Sequence, residues 1–202
     1  MSLETAKAIV YGVALGAGDG GVADVFALAE ISYRYHTDLR KLHKAAHEHG
    51  RLSSDHIKVA AACVAAAFLI ALPLNGAHDH EYARRVVEFT DGLSDALDAA
   101  FYRLGHVLAW GDEGSAIAHI GKDGGAEALI GLACYCVMRY PTEFDKAMAL
   151  GRMCGLIPAA LAGGILGAKL GLAGITQTAI VSLKDVDRLD EMAVNWMMKG
   201  RF

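Results

Sequence analysis

Apolar positions along this chain recur mostly at helical spacing, and the alternation that marks strands is nearly absent. Residues 2–15 form a weakly amphipathic run that predicts a short helix. After a glycine-rich break, Val22, Phe26 and Ala29 share one face of another helix. A polar helix follows within 31–50, with Gly50 as its C-terminal stop. Ser53 or Ser54 caps the next, about 55–72, an alanine-rich run that favours helix strongly. The stretches 81–89 and 91–110 are amphipathic, the latter with Leu93, Leu97, Phe101, Leu104 and Leu108 on one side. Residues 111–114 read as a turn, and 185–198 as a helix charged on one face.

Residues 121–175 predict three further helices around which the rest is organised. The first is apolar and spans roughly 124–138. It stops at Tyr140-Pro141, because the residue before a proline is pushed out of the helical region. Thr142 then caps a helix with Phe144 and Met148 on its apolar side. The third follows Pro158 and is almost wholly Ala, Gly, Leu and Ile. Its Gly163, Gly167 and Gly171 recur every fourth residue, a groove where another backbone can come close. Small residues at that spacing suit a membrane-helix contact or the centre of a large all-α domain. Lys169 and the many Gly and Ala positions interrupt the apolar run, which favours the buried helix.

Composition narrows the picture. The chain has 202 residues, enough for one domain with a sizeable core. Apolar residues make up 54%, charged 21% and aromatic only 7%, which suits tightly packed helices with small contact residues and not disorder. A net charge of −4 argues against a nucleic-acid footprint. The four cysteines, Cys63, Cys134, Cys136 and Cys154, lie in apolar helical contexts. They read as small buried hydrophobes in a reducing cytoplasm, with a metal or redox site as the rival. The first residues lack a basic start followed by an apolar run, so no signal peptide is expected, and the compartment expected is the cytoplasm.

Candidate chemistry is sparse. In Leu15-Gly-Ala-Gly-Asp-Gly-Gly21, four glycines and an aspartate predict a loop with exposed backbone amides before a helix, an arrangement able to hold a phosphate or carboxylate. No strand precedes it and no Gly-Lys-Ser/Thr follows, so it is neither a dinucleotide fingerprint nor a P-loop. His43 and His47 have the i,i+4 spacing of a zinc pair without a third ligand in view, which favours a solvated polar face. His78-Asp79-His80-Glu81 reads as an exposed helix start capped by Asp79 rather than a metal loop.

The run Glu127-Ala128-Leu129, then Tyr140-Pro-Thr-Glu-Phe144-Asp-Lys-Ala147, then Gly163-Gly-Ile-Leu-Gly-Ala168 and Gly171 resembles the C-terminal core of the ADP-ribosylglycohydrolases. The resemblance is strongest over 121–171 and extends back to residue 16, which corresponds to the later two-thirds of a typical member. It implies a compact orthogonal multi-helix all-α domain over 1–202, built around a buried Gly/Ala-rich central helix. It also implies an ADP-ribose-like ligand, and hydrolysis with two divalent cations, usually magnesium, held by aspartates. The family's C-terminal Gly-Asp-Ser/Thr-Asp segment falls here near Cys154, Leu156 and Ile157, with no carboxylate. Its N-terminal Gly-Asp-Ala-Leu-Gly and Thr-Asp-Asp-Thr segments have no counterpart. Its Gly-Asn-Gly loop, which touches the ligand, corresponds to Gly18, Asp19, Gly20 and Gly21, where a negative Asp19 would repel a diphosphate. Its Thr-His pair corresponds to Ser53-Ser54, with His56 two residues late.

These departures predict a degenerate member acting as a binding or structural domain, with no cofactor. The alternative is a hydrolase of ADP-ribosyl or related glycosidic bonds that uses a relocated acidic site, in which case magnesium returns. Its carboxylates would come from Asp19, Asp24, Asp123 and Glu127, the last two four residues apart on one helix face. Half of a two-chain enzyme and a small membrane protein are two further readings; no membrane partner is expected. Apolar surface left on a shortened core suits a homodimer or a protein partner.

Overall fold

Small residues decide how the chain packs. The computed structural model describes all residues except 19, 21, 54–56 and 200–202, with the backbone alone at 57. Twelve α-helices, and no strands, are found among the described residues. They are α1 Leu3–Ala17, α2 Ala23–Tyr35, α3 Leu39–Ser53, α4 Ile57–Leu74, α5 Tyr82–Phe89, α6 Asp95–Val107, α7 Glu113–Ile120, α8 Gly125–Arg139, α9 Phe144–Cys154, α10 Leu156–Leu170, α11 Gln177–Val181 and α12 Val186–Lys199. None is long and apolar enough to cross a membrane.

The fold is all-α, and α10 is its central helix, buried from Pro158 to Gly167. Its glycine groove is filled by α1. A side-chain carbon at Gly12 would fall 2.0 Å from the Gly163 carbonyl oxygen, and one at Gly163 would fall 1.9 Å from that of Gly12. Gly16 meets Ala159, and Gly167 meets Ala8, in the same way. The two helices therefore touch backbone to backbone, closer than side chains ordinarily allow. Gly171 is not part of the groove. It ends α10 at φ +66, the left-handed stop that glycine favours.

Several expected boundaries shift, each for a packing reason. Helix α1 runs on through Leu15, Gly16 and Ala17, because Gly16 is held against α10. Gly50 does not stop α3 but lies inside it, where a side-chain carbon would fall 2.6 Å from the Ala60 Cα. The serine expected to cap α4 at Ser53 is the last residue of α3, and Ser54 lies outside the described residues. Glu143, not Thr142, precedes α9, without a side-chain cap. Residues 91–110 give the shorter α6, capped by Ser94, whose hydroxyl accepts from the Leu97 amide. The unexpected α7 is capped by Asp112, whose carboxylate accepts from the Gly114 and Ser115 amides. Asp79 does not cap; the Glu81 carboxylate accepts from the His78 amide, and Asp79 pairs with Lys169. Lys169 also donates to the Pro141 carbonyl at 2.8 Å, so the charge that interrupts the apolar helix ties α10 to two turns.

Candidate functional site

The glycine loop and the N-terminus of α10 come together. Helix α1 ends at Ala17 and Gly18 turns at φ +57, a conformation that favours glycine. A side-chain carbon at Gly20 would fall 2.5 Å from Leu156 Cδ2, so Leu156 lies directly over the loop. Asp19 and Gly21 lie outside the described residues. Cys154 closes α9, and Gly155 (φ +119) turns the chain into α10, whose first two residues are Leu156 and Ile157. Arg152 donates to the Leu15 carbonyl at 3.3 Å, pinning the end of α9 beside the loop.

A pocket of about 190 Å³ opens beside this junction. Val22 and Asp24 at the start of α2, Val59 and Cys63 of α4, Ala126 and Ile130 of α8, and Ile157 and Leu161 of α10 contribute to its wall. Asp24 is the one carboxylate among its described lining residues. Its Oδ1 accepts from Ser53 Oγ at 3.3 Å and lies 3.1 Å from His49 Nε2. Burial, helped by the negative Asp24, pushes the Cys63 thiol up to about 11, so it is neutral near pH 7 and a poor nucleophile. The environment is aliphatic, and it suits an apolar group better than a phosphate or a hard cation.

The other expected acids stand apart from one another. Asp123 precedes α8, and its Oδ2 takes Arg103 Nη1 at 2.7 Å. Arg103 is itself buried, with Nη2 donating to the Ile120 carbonyl. Glu127 is the third residue of α8 and only 4% exposed. Its Oε1 accepts from Ser94 Oγ at 3.2 Å, and Ser94 also caps α6, so this carboxylate joins the starts of two helices. Gly124 and Gly125, both at positive φ, turn the chain between the two acids. The four-residue spacing therefore does not place them on one helix face.

His43 and His47 are stacked with ring centroids 6.1 Å apart, and His43 meets Phe89 edge-on. Burial, then the neighbouring His47, lowers the His43 pKa. Among the described residues no group of three or more His, Cys, Asp or Glu side chains is arranged to hold a metal ion. A larger groove, about 950 Å³, lies between α5, α6 and α7, lined in part by Tyr102, Trp110 and His119. It contains none of the glycine-loop or α10 positions; the pocket of about 190 Å³ takes in Ile157 and Leu161 of α10, while Gly18 and Gly20 line a separate groove of about 770 Å³ with Ser182, Asp185 and Arg188. The wall of the α10 pocket escapes sequence reasoning, because Val59, Ala126 and Ile130 carry no chemical signal that separates a pocket wall from the core.

The family model for ADP-ribosylglycohydrolase matches residues 3–201. The match takes in α1 from its first residue and all of α12, and so extends well beyond the stretch 16–171 that carries the sequence resemblance. A search of curated proteins finds no match. An all-α fold around a glycine-lined central helix and a family match over nearly the whole chain agree, and this chain belongs to the ADP-ribosylglycohydrolase family.

Proposed function

We propose that residues 1–202 form one domain that keeps the family's fold without its two-cation hydrolysis, and that it acts by binding. The aliphatic wall at the junction of loop and α10 carries this reading. Magnesium takes six oxygen ligands in near-octahedral geometry. The described residues of the pocket offer Asp24 alone, already engaged by Ser53 and His49, and the positions near Cys154, Leu156 and Ile157 supply no oxygen side chain. These residues do not fit the metals that the family implies. Exposed apolar side chains stand at the same junction: Met153 is 64% exposed, Leu156 41% and Ile157 42%. A protein partner or a second copy laid over them would remove that surface from water.

The competing reading, hydrolysis by a relocated acidic site, needs carboxylates brought together from Asp19, Asp24, Asp123 and Glu127; Asp19 lies outside the described residues, and Asp24 is engaged by Ser53 and His49. Asp123 is engaged by Arg103 and Glu127 by Ser94. An assay of ADP-ribose release from ADP-ribosylated arginine, with magnesium or manganese, separates the two. Release no faster than the uncatalysed background is expected. Metal-dependent release that disappears in Asp24→Asn would overturn the proposal.

A further inference from the structure

The four cysteines are not equivalent. Cys63 stands alone on the pocket wall, and Cys134 donates toward the Met138 thioether at 3.6 Å. Cys136, on α8, and Cys154, the last residue of α9, bring their sulfurs to 3.8 Å across the contact between the two helices. They are 18 positions apart in sequence, so a bond between them would close a short loop through the Tyr140-Pro141 turn. Cys136 is fully buried, whereas Cys154 keeps part of its surface exposed at the helix end.

We propose that Cys136 and Cys154 are an oxidisable thiol pair, which a hydroperoxide converts into an intrachain disulfide joining α8 to the end of α9. Cys154 is the attacking sulfur, because it is the accessible member. The Cys136 thiol shares its proton with it, which lowers the Cys154 pKa, while that bond and burial raise Cys136. The Cys154 thiolate takes one oxygen of the hydroperoxide. An S–O bond forms, the O–O bond breaks, and the departing alkoxide or hydroxide gains a proton. The Cys136 sulfur then displaces hydroxide from the Cys154 sulfenic acid. The S–S bond forms, the S–O bond breaks, and the Cys136 proton leaves with the hydroxide as water. The two thiols lose two electrons between them, and the hydroperoxide is reduced to alcohol and water.

The position gives this chemistry a consequence. Gly155 directly follows Cys154, and the next two residues are Leu156 over the glycine loop and Ile157 on the pocket wall. A disulfide would tie down the junction that Gly155 now turns at φ +119.

The test treats the full chain with one equivalent of hydrogen peroxide, then alkylates it under denaturing conditions. Before alkylation the mass should fall by about 2 Da; after it, two of the four thiols should have escaped alkylation, and a digest should yield one peptide pair linking Cys136 to Cys154, released by dithiothreitol. Cys154→Ser should abolish the protection. Cys136→Ser should leave a sulfenic acid on Cys154 that dimedone traps. Four alkylatable thiols, oxygen added without a crosslink, or a bond to Cys63, Cys134 or a second chain would overturn the proposal. The parent-chain experiment decides the matter even if the core substitution at Cys136 prevents folding.

Discussion

Gly12 and Gly163 are the residues on which the fold leans most heavily, because neither has room for a single carbon. A methyl group at Gly12 would have to push backbone aside, not the end of a flexible side chain. Gly12→Ala should therefore cost more than about 3 kcal/mol, even though alanine is the better helix former. Gly105 lies inside α6 with nothing near its missing side chain, so Gly105→Ala should stabilise by about 0.5–1 kcal/mol. Urea unfolding of the two variants checks the contrast, and equal midpoints would refute the backbone contact. At the same scale, Glu127 shows why a residue's type does not give its role. Its spacing from Asp123 suggests an acid pair, but its burial and its bond to Ser94 make it a tie between helix starts.

Between elements, α1 is held to α12 by charge as well as to α10 by shape. Asp190 takes Lys7 at 2.7 Å and the Tyr11 hydroxyl at 2.6 Å. These bonds hold the Asp190 carboxyl below the usual range, while burial and Asp190 push the Tyr11 hydroxyl up to about 12. A depressed carboxyl contributes stability above its unfolded pKa, about 3.9, and loses it as the pH falls through the folded value. A raised phenol contributes below its unfolded pKa, about 10, and loses it as the pH rises towards 12. Tyr11→Phe should cost about 1–2 kcal/mol near pH 7, with a deficit that shrinks below about pH 4 and above about pH 10. Denaturant unfolding across pH measures it, and a deficit constant with pH would contradict the contact.

Much of this level is legible in the sequence. The repeat at Gly163 and Gly167 announces a close backbone approach, since no other residue type leaves such a groove. Its partner is not announced. Gly12 sits in a weakly amphipathic run, and Gly16 reads as part of a loop until α10 packs against it. Gly50 misleads in the same way, because a glycine that stops a helix and one that admits a neighbour look alike in one dimension. The short helices α7 and α11 carry too few apolar turns to show a period.

For the whole molecule, family and architecture follow from the same residues, and the proposed loss of two-cation chemistry turns on the side chains where loop and α10 meet. The glycine loop and the start of α10 meet. Leu156 lies over Gly20, and the pocket beside them is walled by aliphatic side chains with Asp24 as their one acid among the described residues. The central claim is a cleft without metal-dependent recognition, and a thermal-shift titration with ADP-ribose, with and without magnesium, tests it most directly. A ligand at a hundred times its Kd would add about 2.7 kcal/mol, roughly 5–10 °C for a domain of this size. The account predicts no rise that depends on magnesium. A rise of that size appearing only with magnesium would contradict it.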